Sequence, residues 1–206
     1  MNYLQLRNPP KQFVKLCKQT YKKYKGTDWK IEMNKYHFSS DIEYDDLIKF
    51  QNIIPEKIHT VSINLITKGM KSRGTHIDRK RKAALQFPIV CDPNVHQVYV
   101  LQDKKNFDKL TPINTGGFRK QNKPHVDWAN QKYPDMPMFH EYDEQYFEVH
   151  NVEKYIPYIT DTSLPHGGLH YKGIETQSVN ERWFISISLP DRINVYDRKK
   201  VFAQWL

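Results

Sequence analysis

The residues with the clearest chemical potential are His76 and Asp78, in the stretch Arg73-Gly-Thr-His-Ile-Asp-Arg-Lys-Arg-Lys. Side chains two apart on an extended backbone point to the same face, so an imidazole and a carboxylate in this relation can grip one metal ion together. A second histidine from elsewhere would complete a two-histidine, one-carboxylate facial site with open coordination positions. A second His-X-Asp, His125 and Asp127, lies in a stretch punctuated by Pro and Gly. Metal ligands need rigid presentation, and only the first pair sits between two strand-like segments, so His76 and Asp78 are the expected ligands.

For the third ligand there are two candidates, His166 and His170, in Asp161-Thr-Ser-Leu-Pro-His-Gly-Gly-Leu-His170. His166 is preferred. It leaves a strand-like run, and the Gly-Gly behind it allows close approach of a ligand to the backbone. Arg182 opens the strongest strand of the C-terminal half, Arg182-Trp-Phe-Ile-Ser-Ile-Ser-Leu189. An arginine facing into a β-barrel is costly unless it meets an anion, and its planar fork suits a carboxylate.

These residues need a scaffold. Residues 10 to 25 read as an amphipathic helix, with Phe13, Val14, Cys17, Tyr21 and Tyr24 along one face and lysines on the others. A second helix is expected to begin at Ser40, where Ser40-Asp-Ile-Glu43 has the form of a capping box, and to stop before Pro55. From Ile58 the period changes to two: Val61, Ile63 and Leu65 alternate with Ser62 and Asn64. Further strands are expected at 83–90, 96–102, 146–152, 155–160 and 182–189, with long loops at 103–137 and from about His170 to Asn180. The tail from Tyr196 reads as a short helix that packs Phe202 and Trp205 on the body. Many short strands after two helices predict a mainly β fold with flanking helices, an antiparallel barrel or jelly roll. The expected organisation is one domain over 1–206, with helical support in 1–57, a jelly-roll core in 58–190 and a C-terminal extension in 191–206.

Composition sets the outer bounds. The hydrophobic share is 38%, but aromatic residues at 13% supply much buried area each. Cys17 and Cys91 form no disulfide framework or Cys-X-X-Cys motif, which predicts a reducing, cytoplasmic setting. No apolar run is long enough for a membrane span and the N-terminus lacks a signal-peptide pattern, so no membrane partner is expected. The net charge of +9 makes nucleic acid a candidate partner, though not the favoured one, since the charge is spread through Lys-rich patches without a known reading motif.

In the order His-X-Asp, distal His, then Arg on the final strand, the chain resembles the 2-oxoglutarate/Fe(II)-dependent oxygenases, whose core is a cupin-like double-stranded β-helix. The texture around His76 and His166 is similar to the aspartyl/asparaginyl β-hydroxylase-like branch and to small oxygenases of phage type, a likeness that would put a viral chain in the host cytoplasm. The resemblance implies that His76, Asp78 and His166 bind Fe(II), and that Arg182 holds the distal carboxylate of 2-oxoglutarate. The reaction implied is hydroxylation of an unidentified protein side chain or small molecule, with O₂ consumed and succinate formed.

Departures from the branch are also readable. Where it carries an Arg and a His on the strand after the first ligand, this chain has Ala84 and Gln86, so Gln86 is the residue expected to reach the cosubstrate. Asp78 is present where the branch often lacks a carboxylate ligand, which points to hydroxylation and away from halogenation. The long interval from His166 to Arg182 keeps His170 as an alternative ligand. Two other readings compete: a jelly-roll module that binds a partner without catalysis, and a nucleic-acid-acting oxygenase, whose Arg-rich signature is missing from Arg182-Trp-Phe-Ile-Ser-Ile.

Overall fold

The computed structural model describes residues 2–26, 31–34, 37–67, 72–78, 82–93, 96–110, 139–140, 143–170, 181–189 and 195–206. In chain order its elements are β1 (Tyr3–Gln5), α1 (Lys11–Tyr24), β2 (Ile31–Asn34), β3 (His37–Asp41), α2 (Tyr44–Gln51), β4 (Val61–Thr67), β5 (Ser72–His76) and β6 (Ala83–Val90). Then follow β7 (His96–Leu101), β8 (Phe139–His140), β9 (Phe147–Asn151), β10 (Tyr158–Asp161), β11 (His166–His170), β12 (Glu181–Leu189) and α3 (Val195–Val201).

The strands form a seven-stranded sheet, β1-β10-β6-β12-β4-β3-β2, and a five-stranded sheet, β8-β5-β11-β7-β9. All strand pairs described are antiparallel. From β4 to β7, and again from β9 to β12, the chain alternates between the two sheets. That alternation, with helices alongside, is a double-stranded β-helix, as the strand pattern predicts.

The apolar core lies between the large sheet and the helices. Ile63, Leu65, Leu85, Phe87, Ile185 and Ile187 form one buried cluster with Phe13, Cys17, Phe50, Phe202 and Trp205. Phe13 is its centre: its ring meets Phe50 at 6.2 Å, Phe87 at 5.5 Å and Trp205 at 4.7 Å between centroids. Burying a side chain of this size stabilises the fold by about 1.5–3 kcal/mol. The tail behaves as expected, with Phe202 and Trp205 both in this core. Helix α1 ends at Gly26, whose φ of +87° is the left-handed conformation that closes a helix without a Cβ penalty.

Because strand side chains alternate, the opposite face of the same sheet carries different residues. There stand Ser62, Asn64, Gln86, Tyr158, Thr160, Arg182 and Ser186, turned toward the small sheet. This polar interior is what makes room for a site.

Three expectations need correction. The second helix does not start at Ser40: Ser40 pairs with Ile63 in the sheet and is buried, and α2 begins at Tyr44 after Glu43, with no side-chain cap. Pairing with β4 satisfies the Ser40 backbone better than a helix start would, because an isolated first turn closes few hydrogen bonds. Residues 1–57 are therefore not only helical support, since β1, β2 and β3 all belong to the large sheet. Nor does His170 lie in a loop. The run His166-Gly-Gly-Leu-His is β11, held between β5 and β7. Of the 103–137 loop, residues 104–109 form a short 3-10 helix, with Asp103 accepting from the Lys105 N–H at its start. The rest of that loop, His125 and Asp127 included, lies outside the described residues.

Candidate metal centre and its cavity

Strand pairing brings the first two histidines together. His166 is the first residue of β11 and stands directly opposite His76, the last residue of β5. Their rings lie 4.5 Å apart between centroids. Asp78 is held just past the end of β5 by its own N–H, which donates to the Thr162 carbonyl at 2.9 Å. The carboxylate then reaches both rings: Oδ1 is 3.6 Å from His76 Nε2, and Oδ2 is 3.6 Å from His166 Nε2.

One donor atom from each of the three residues lies within 4.8 Å of the others. Ligand atoms on one octahedral face with bonds of 2.0–2.1 Å are about 3 Å apart, so holding an ion draws these three slightly inward. The orientation of His166 is fixed by a further contact, in which Nδ1–H donates to the Leu164 carbonyl at 2.9 Å. That bond selects the tautomer with its free lone pair on Nε2, toward Asp78, as is usual behind metal-binding histidines. His170 ends β11 opposite His96, four residues and about 13 Å of strand beyond His166.

His76 and His166 stand at one side of a cavity whose wall also includes Gln86, Tyr158, Thr160, Gly168 and Arg182. Ile66, Val98 and Phe184 supply its apolar wall.

Arg182 is only 4% exposed. Its Nη2 donates to the Tyr158 hydroxyl at 2.9 Å, and that hydroxyl donates to Gln86 Oε1 at 2.5 Å. Among the described residues no carboxylate lies within ion-pair distance of this guanidinium, and neither its Nε nor the buried Thr160 hydroxyl has a hydrogen-bond partner. A buried cation with spare donors is expensive unless an anion completes it. The guanidinium rests over Gly168, where even a Cβ would touch Nη1 at 3.5 Å. Cys91 does not compete for it, because burial pushes that thiol up to about 11 against the opposing pull of Arg182.

All five residues singled out in the sequence, His76, Asp78, His166, Gln86 and Arg182, are thus gathered around one cavity or at the end of it where the His-Asp-His donor set stands. The sequence reading did not single out Tyr158 or Thr160. The available signal was their alternation with the apolar Ile159 in a strand, which puts both on one face.

A double-stranded β-helix with helices packed on its larger sheet is the class this architecture defines. Among solved structures it is similar to HygX from Streptomyces hygroscopicus with nickel and 2-oxoglutarate bound, at a TM-score of 0.50 and 8% identity over 94% of this chain and 84% of that one. It is also similar to a Pseudomonas putida prolyl-4-hydroxylase, at 0.48 and 8% over 93% and 94% of the two chains. A third is SnoN, a non-haem α-ketoglutarate-dependent epimerase from nogalamycin biosynthesis, at 0.48 and 6% over 92% and 78%. The likeness is one of fold. No family model and no curated protein sequence matches the chain. Among the described residues no helix is long and apolar enough to cross a membrane.

Proposed function

We propose that this chain is an Fe(II)- and 2-oxoglutarate-dependent dioxygenase that hydroxylates a C–H bond of a small molecule or a protein side chain. The observation that carries the reading is the pairing of two features in one cavity: a His-Asp-His donor set at one end, and a buried arginine without a carboxylate partner among the described residues. A cation and a dicarboxylate together match that pair of needs.

In this reading His76, Asp78 and His166 hold Fe(II) on one face and leave the other open. Bound iron and 2-oxoglutarate supply the redox chemistry: O₂ oxidatively decarboxylates 2-oxoglutarate to succinate and CO₂, and the second oxygen atom enters the substrate C–H bond. The protein's share is positional. The Leu164 carbonyl keeps the His166 lone pair aimed at the metal. Arg182 receives the distal carboxylate, Tyr158 and Gln86 fix the guanidinium's orientation, and Thr160 offers a further hydroxyl. Ile66, Val98 and Phe184 keep water from the reacting end.

Anaerobic titration of the protein with Fe(II) and then 2-oxoglutarate tests this. A weak visible charge-transfer band is expected, absent in His76→Ala and His166→Ala. Folded parent protein that gives no band and binds no 2-oxoglutarate would leave the non-catalytic binding module in its place.

A further inference from the structure

On the other side of the large sheet, helix α1 contains no acidic residue. Lys11, Lys15, Lys18, Lys22 and Lys25 recur at intervals of four, three, four and three, and all five are exposed. At 100° per residue they fall within an arc of about 80°, a single stripe about 21 Å long. Lys23 lies off the stripe, and it alone of these lysines meets carboxylates, those of Glu43 and Asp46. Among the described residues none of the five stripe lysines lies within ion-pair distance of an acid.

Among the described residues the neighbouring acids are engaged elsewhere. Glu153 accepts from Gln5 and faces Arg7, and Glu181 accepts from the Trp183 indole. A sixth ammonium joins the stripe's flank at Tyr155, whose ring carries Lys18 at 4.0 Å and the exposed Lys154 at 5.0 Å. Tyr155 is held with φ of +65°, a costly conformation for a residue with a side chain. Its N–H donates to the Pro88 carbonyl and its ring stacks on Phe87. The ring is thus occupied as a lysine organiser and offers no open face for a base.

We infer that this stripe is a docking surface for the phosphate backbone of a nucleic acid, read without regard to sequence. One strand of a duplex rises about 3.4 Å per charge along its axis while it winds, which puts neighbouring phosphates about 7 Å apart along the backbone, so the stripe runs beside about three to four of them. An anionic membrane fits less well. The apolar residues that would insert, Phe13, Cys17 and Tyr24, are committed to the core. The stripe lies across the sheet from the cavity, so it would tether the protein and not deliver a base to the metal centre. It stands independently of the oxygenase reading.

Fluorescence anisotropy with a labelled 20-base-pair DNA duplex, titrated at several salt concentrations, is the test. The parent is expected to bind with a log–log salt slope of about −3, near −0.9 for each of three to four phosphates. K15Q/K18Q/K22Q should weaken binding at least tenfold and flatten the slope by more than half. K104Q/K105Q/K109Q removes the same charge from exposed lysines elsewhere and should stay within about twofold of the parent. Circular dichroism establishes that both variants fold, and His76→Ala should bind the duplex like the parent. No binding by the parent at 50 mM salt would overturn the proposal, as would equal losses in the two triple variants, which would mean net charge alone. Binding to phosphatidylserine vesicles but not to the duplex would overturn it in favour of a membrane.

Discussion

Among the described residues two arginines are buried, on opposite sides of the large sheet, and their surroundings differ. Arg198 on α3, 1% exposed, is closed against Glu56: Nη2 donates at 2.7 Å, and Nε donates at 2.9 and 3.2 Å. Arg182 is nearly as buried, yet among the described residues its partners are a tyrosine hydroxyl at 2.9 Å and the ring of Phe184 at 4.9 Å. The same residue type is completed from within the chain in one place and only partly in the other. Arg198 closes a structural joint between helix and core. Arg182 has the chemistry of half an ion pair, with the other half to come from a ligand.

The largest effect should follow from breaking the complete pair. Arg198→Met leaves the Glu56 carboxylate buried and uncompensated and should cost about 3–5 kcal/mol in urea unfolding. Replacing both partners by apolar residues of similar size should recover most of that loss. Arg182→Met strands no carboxylate among the described residues, so its stability should stay within about 1 kcal/mol of the parent or rise. Its affinity for 2-oxoglutarate in calorimetry should fall by about 2–3 kcal/mol, roughly 30- to 150-fold. If Arg182→Met instead unfolds the protein as Arg198→Met does, the contrast between the two arginines fails.

Tyr158→Phe is a finer probe. It removes the hydroxyl that links Arg182 to Gln86 and should weaken 2-oxoglutarate binding by about 1 kcal/mol, some fivefold, with the metal-dependent band retained. The smallest expected effect concerns Asp46, which accepts from Lys23, Lys49 and Tyr24. The hydrogen bonds from Lys23 and Lys49 lower its carboxyl from 3.8 to about 2. A group depressed in the folded state contributes stability above its unfolded value and loses it as pH falls. Asp46→Asn should therefore cost about 1 kcal/mol at neutral pH and flatten the acid limb of a thermal-melt profile between pH 4 and 2.

The large sheet's outer face was readable from the sequence, because Ile63, Leu65, Leu85, Phe87, Ile185 and Ile187 announce themselves by period two. Helix α1 was readable to within one residue at each end, since its apolar stripe is committed to the core. The candidate metal ligands were readable as well, from the His-X-Asp spacing and a later histidine: His76 ends β5, Asp78 follows two residues on, and His166 opens β11. The inner face was harder. Tyr158 and Thr160 point into a cavity, and polar residues in that setting follow the same alternation as residues facing water. Ser40 misled for a related reason, since a serine before an acidic residue has the same appearance whether it caps a helix or pairs in a sheet. In β11 the two glycines hide strand character, and only pairing on both sides reveals it.

The place of β1 has a consequence for synthesis. Tyr3 pairs with Thr160, and its ring stacks 3.7 Å from His150 and 5.3 Å from Tyr158. At ribosomal rates of about 5–20 residues per second, β10 follows β1 out of the ribosome on the order of 8–30 s later. Leu4 and Leu6, both buried in the finished fold, must wait that long without their partners. The wall that carries Tyr158 is therefore completed late in translation, which makes nascent chains stalled before β10 the ones that chaperones would have to shield.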